Sequence, residues 1–222
     1  MPSKPVVIIN TKTYPQGTGE RAVRLAEFCE AAARGFDIRI AVQATDIGAV
    51  AKAVRIPVYA QHCDPVAPGK TTGWITAKAL KAAGAKGALL NHAERRIPTI
   101  EIVAAAKALR KERLAVIVCA ESIARLHEID GALSRAGTRA DYLAVEPPEL
   151  IGGDVSVSVA QPDVVIRAVQ ATRAPVLVGA GVRSHADLEI ALEYGAAGVL
   201  LSKGIVTAPH QERALRRLLT AP

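Results

Sequence analysis

At 222 residues, half of them hydrophobic and 22% charged, the chain has apolar surface for one sizeable core, and its composition excludes intrinsic disorder. Its 28 basic against 21 acidic side chains leave a net charge of +7, which suits anionic partners, yet aromatics are only 3% and no basic stripe interleaves with rings. That pattern argues against single-strand nucleic-acid binding, and no run approaches the ~18 apolar residues of a membrane span, so neither nucleic acid nor membrane is an expected partner.

The first apolar run, Pro5 to Ile9, is too short for a signal-peptide core and reads as a strand. Arg21 to Ala33 follows at helical spacing, then come three strand-like runs, Ile38 to Val42, Pro57 to Ala60 and Ala88 to Leu90. Ile100 to Lys111 is helical and precedes Leu114 to Val118 and Tyr142 to Val145 as strands. Pro162 to Ala171, Ala186 to Tyr194 and Gln211 to Leu219 read as helices, separated by the strands Pro175 to Val178 and Gly198 to Leu201. The runs are rich in Val, Ile and Leu without polar alternation, as expected of parallel strands buried on both faces. Eight such units average about 28 residues each, enough for a strand and its crossover helix. The expectation is a single (β/α)8 barrel domain over residues 1–222, with a doubly wound open sheet as the alternative.

Each run ends at a polar or small residue: Asn10, Gln43, Gln61, Asn91, Cys119, Glu146, Gly179 and Ser202. A barrel brings all eight to one rim, where loops vary while the packed strands hold their geometry. Glu146, stiffened by Pro147 and Pro148, is the first candidate for a general base there. Alone it fits a structural ion pair as well. Its company favours chemistry, because Asn91, His92 and Glu94 follow the fourth strand while Asn10 and Lys12 follow the first. His127, His185 and His210 lack such company and read as surface or packing residues; His62 is ambiguous. No H-x-x-x-H pair occurs in the sequence, so no metal and no cofactor is expected. Cys29, Cys63 and Cys119, odd in number and far apart, form neither a disulfide framework nor a metal knuckle, which fits a reducing, cytoplasmic location. The basic faces Lys107, Arg110, Lys111 and Arg213, Arg216, Arg217 read as solvated helix surfaces.

Two segments resemble phosphate loops. Pro68 to Thr71 imitates the end of a nucleotide-binding loop, but Asp64 stands where the first glycine is required. Gly179-Ala180-Gly181 lacks the third glycine of a dinucleotide fingerprint, because Ser184 takes that place. With Ser202-Lys203-Gly204 it still offers backbone donors after strands seven and eight, where barrels commonly hold phosphate. A small phosphorylated ligand suits this arrangement.

Four motifs in order, Asn10-Thr11-Lys12, Asn91-His92-Ala93-Glu94-Arg95-Arg96, Glu146 to Gly153 and Gly179-Ala180-Gly181, closely resemble the triosephosphate isomerases, in the short form typical of archaea. The likeness spans the chain. It implies interconversion of dihydroxyacetone phosphate and glyceraldehyde 3-phosphate, with Glu146 as base, His92 as neutral electrophile, Lys12 stabilising negative charge and Asn10 positioning substrate. Glu94 would hold Lys12, and Thr11, Ile151, Gly152, Gly181, Ser202 and Lys203 would contribute to substrate binding. Residues Pro147 to Gly153 would form a lid, and Thr72 would reach a partner's site in a homodimer or a tetramer of dimers. Two departures stand out. Ala93 replaces a serine whose hydroxyl usually steadies the base, which predicts a looser resting Glu146. Lys203 replaces a small residue and either strengthens phosphate binding or faces solvent, the second favoured because backbone donors already serve the phosphate. The alternatives are another sugar-phosphate isomerase or epimerase, or a non-catalytic barrel that binds anions.

Overall fold

The computed structural model describes residues 4–146, 162–180 and 182–220. Strands β1 (Val6–Asn10), β2 (Asp37–Val42), β3 (Val58–Ala60), β4 (Gly87–Leu90), β5 (Ala115–Ala120), β6 (Tyr142–Val145), β7 (Val176–Val178) and β8 (Gly198–Leu201) form a closed parallel barrel in chain order. Its register ends where it began, with Val6 to Ile9 pairing both Asp37 to Ile40 and Gly198 to Leu201. The open-sheet alternative is therefore set aside. Every apolar run became a strand, with ends moved by at most two residues.

Helices α1 (Glu20–Ala32), α2 (Ile47–Ala53), α3 (Ala77–Ala82), α4 (Thr99–Lys111), α5 (Ile123–Arg135), α6 (Pro162–Ala171), α7 (His185–Glu193), α8 (Lys203–Val206) and α9 (Gln211–Leu219) cover the outside. Several begin where short polar side chains satisfy orphan amides. The Ser122 hydroxyl accepts from the Arg125 N–H and the Thr76 hydroxyl from that of Ala79, while Ser184 and Asp187 form a reciprocal capping box. Among the described residues no helix is long and apolar enough to cross a membrane.

Alternation along each strand splits the core in two. Val7 and Ile9 point outward into the large layer beneath the helices; Val6 and Ile8 point into the barrel with Ala41, Tyr59, Leu89, Ile117, Ala144, Leu177 and Leu200. At the N-terminal end Arg39 closes the interior: it pairs with Asp37 (2.6 Å), donates to the Tyr59 hydroxyl (2.9 Å) and lies over the Tyr142 ring (4.9 Å). Chemistry is thereby left to the opposite rim.

Candidate active site

At the C-terminal rim, two non-glycine residues take left-handed backbone angles, Lys12 (φ 48°) and Asn91 (φ 56°). Such angles are uncommon for side-chain-bearing residues and persist where local contacts enforce them. The Asn10 side-chain oxygen accepts the Lys12 N–H (3.0 Å), and Gln61 donates to the Lys12 carbonyl (2.9 Å) and the Thr11 hydroxyl (3.1 Å). Asn91 donates to the Cys119 carbonyl (2.8 Å) and accepts the Ile97 N–H (3.0 Å), fixing the loop that carries His92. Asn91 thus shapes the turn, and Gln61 is a bracing residue that the motifs alone did not single out.

A cavity of about 700 Å³ opens above, lined by Asn10, Lys12, His92, Glu94, Glu146 and the β7 and β8 loops, including Gly179, Arg183, Ser202 and Lys203. His92 Nε2 lies 3.4 Å from Glu146 Oε1, and Lys12 Nζ lies 2.5 Å from Glu94 Oε1. The backbone N–H of Glu94 donates to His92 Nδ1 (3.2 Å), so Nδ1 is an acceptor and the proton of the neutral ring belongs on Nε2, facing the cavity. Burial, then the nearby Lys12 ammonium, push the His92 pKa down, keeping the imidazole uncharged.

Glu146 is only 2% exposed. Burial pushes its carboxyl up to about 7, against the Ala93 backbone N–H, the Lys12 charge and the Cys119 thiol, which all favour the ionised form. Its Oε2 is buried and has no hydrogen-bond partner among the described residues. The expected looseness from Ala93 is offset in part, because that residue's own N–H and the Cys119 thiol reach the carboxylate. Cys119 lies inside β5, pointing into the barrel beneath Glu146, where its burial raises the thiol well above the ordinary range. Gly179 completes the nest, since a Cβ there would overlap Glu146 Cγ.

The other expected residues fall into three groups. Ser202 and Lys203 line the cavity; the Ser202 hydroxyl is buried without a partner among the described residues, and Lys203 is exposed at the wall. Thr11 is fully buried behind Lys12, and Thr72 is exposed on the 64–76 segment, so neither lines the cavity. Ile151, Gly152, Gly181 and the Pro147 to Gly153 lid lie outside the described residues. His62 is paired with Asp64 (2.9 Å), whose other oxygen accepts the Ile75 N–H (2.6 Å), so this couple ties the base of the 64–76 segment. No group of three or more His, Cys, Asp or Glu suited to a metal occurs among the described residues.

A family model described as triosephosphate isomerase matches residues 5–217. Curated triosephosphate isomerases from Methanothermus fervidus and Archaeoglobus fulgidus are 39% and 42% identical, over 98% and 96% of both chains respectively. The crystal structure of triosephosphate isomerase from Bartonella henselae superposes with a TM-score of 0.69 at 22% identity, covering 92% of this chain and 94% of that one, which supports the fold.

Proposed function

The chain belongs to the triosephosphate isomerase family, and from that premise we propose how its residues interconvert dihydroxyacetone phosphate and D-glyceraldehyde 3-phosphate. The hydrogen beside a carbonyl is a weak acid, so the reaction needs a base on the carbon and charge stabilisation on the oxygens. Glu146 takes the proton from the hydroxymethyl carbon. The electron pair moves toward the carbonyl oxygen, giving an enediolate, and the carboxyl returns the proton to the adjacent carbon. His92 Nε2–H hydrogen-bonds the oxygens and moves protons between them, while the Lys12 ammonium offsets their negative charge and Asn10 orients the substrate.

A base near 7 suits this work, because it is ionised in a large fraction at neutral pH yet basic enough to compete for a carbon-bound proton. Glu94 holds Lys12, and Thr11 steadies it from behind. Ser202 and Lys203, with Ile151, Gly152 and Gly181, take the phosphate end. The chain works as one barrel domain without a metal or cofactor.

Its assembly is a homodimer or a tetramer of dimers, with the 64–76 segment and Thr72 inserted toward a neighbour. That reading is supported by the exposure of Trp74 (52%) on the same segment. Three free, buried cysteines fit a reducing cytoplasm.

The observation that carries the proposal is the buried Glu146 facing the Nε2 side of an uncharged His92 at 3.4 Å. A coupled isomerase assay on purified protein tests it. Turnover should be unaffected by chelator and should fall by about 10³-fold or more in Glu146→Gln. Chelator-sensitive turnover, or turnover that survives the substitution, overturns it.

A further inference from the structure

A second cavity, of about 530 Å³, lies between α1 and the start of α9. Arg21, Arg24 and Phe28 line one side; they are three and four residues apart on α1 and so share a helix face. His210 and Arg213 line the other, where α9 begins. Three guanidinium groups and an imidazole therefore share one space. Among the described residues no hydrogen bond or ion pair engages Arg21, Arg24 or Arg213. This contrasts with Arg39, Arg110 and Arg125, which are all paired with carboxylates.

The only carboxylate among the lining residues, Glu212, is taken by Arg216, which donates through Nε (3.0 Å) and Nη2 (2.8 Å). Like charges one turn apart repel, so the three arginines leave a positive field that Glu212, shared with Arg216, does not balance. The first-turn amides of α9, a nine-residue helix, add partial positive charge at the same wall. Phe28 gives the groove an aromatic end, half-buried and about 10 Å along the α1 axis from Arg21 at 1.5 Å per residue. An aromatic face separated from a cluster of phosphate-binding cations by that span matches a base and its polyphosphate tail.

We propose that this groove binds a nucleoside polyphosphate, with its base against Phe28 and its phosphates among Arg21, Arg24, Arg213 and the α9 amides. The site is separate from the catalytic cavity but adjoins it, because Ala208 and Pro209 line both. A bound nucleotide would lie beside the phosphate end of the substrate pocket.

Equilibrium binding of metal-free ATP, inorganic triphosphate and adenosine, at about 0.1 M salt, tests the assignment. ATP should bind saturably, and Arg24→Ala and Arg213→Ala should each weaken both ATP and triphosphate by roughly tenfold. Phe28→Leu should weaken ATP several-fold and leave triphosphate unchanged, and Lys12→Ala should change neither. Undiminished triose phosphate turnover in the two arginine variants shows that they remain folded. Absence of saturable ATP binding overturns the proposal. So does binding that Lys12→Ala abolishes and the arginine variants retain, which would place the anion in the catalytic cavity. Triphosphate binding as tight as ATP, with no effect of Phe28→Leu, overturns the assignment to a nucleoside.

Discussion

Replacing Glu146 with Gln should make the protein inert and, above neutral pH, more stable. Burial is the largest influence on this carboxyl and raises it from 4.5 to about 7. At 1.36 kcal/mol per pKa unit, ionising it in the folded protein costs about 3 kcal/mol more than in the unfolded chain. The sign follows from proton binding. Between those two values the folded state holds a proton that the unfolded state has released, so wild-type stability falls as pH rises from about 4.5 and levels off once pH passes about 7.

The glutamine variant keeps the shape but has no proton to lose. Urea unfolding of both proteins from pH 4 to 9, at one fixed protein concentration, should therefore show two curves that nearly meet at the acid end and separate by about 3 kcal/mol above pH 8, with the variant higher. Parallel curves would show that Glu146 is not desolvated. A wild type that gains on the variant as pH rises would show a carboxylate stabilised by its cations, and would refute the account of the base.

Other substitutions and conditions probe separate links. The rate constant kcat/KM, expressed per substrate dianion, should fall about tenfold per pH unit below about 7 as Glu146 takes up its proton; a flat profile from pH 6 to 8 would contradict this. Gly179→Ala places a Cβ against Glu146 Cγ and within 2.9 Å of Oε1, so kcat should drop by about 10²-fold with a smaller change in KM, and kcat within threefold of wild type would be the failing result. Gly198→Ala drives a Cβ into the Val6 backbone where β8 meets β1, and urea unfolding should register a loss of about 3 kcal/mol or more; a loss below about 0.5 kcal/mol would mean that the seam can yield.

The barrel was legible because strands buried on both faces appear as uninterrupted Val, Ile and Leu runs, and eight of them at nearly even spacing leave few topologies. Tyr142 to Val145 and Gly198 to Leu201 were located to the residue. Helices α2, α3, α5 and α8 were not singled out; α2, α3 and α8, at four to seven residues, show at most two turns of periodicity, whereas the 13-residue α5 carries Gly131 in its interior. At the site, the residue types at the strand ends pointed to Asn10, Lys12, His92 and Glu146, which line one cavity together. Sequence could not reveal how they are held, since the Gln61 bond to Lys12 spans 49 positions and the Asn91 bond to Cys119 spans 28. Cys119 read as one more rim residue; its contact with Glu146 appears only when β5 and β6 are set side by side.

The same forces that perturb the site equip it. Burial raises the Glu146 carboxyl at the rim opposite the end that Arg39 closes. Lys12 has a double effect, favouring the ionised carboxylate and disfavouring an imidazolium at His92. One ammonium thus favours a charged carboxylate on one side and an uncharged imidazole on the other.

Deuterium transfer offers the most direct measurement of proton movement through Glu146. With dihydroxyacetone phosphate in heavy water, wild-type protein should deliver label to carbon in a substantial fraction of turnovers, and Glu146→Gln should deliver essentially none. Isomerisation without any carbon-bound deuterium, or label entering equally fast with the glutamine variant, would contradict the assignment.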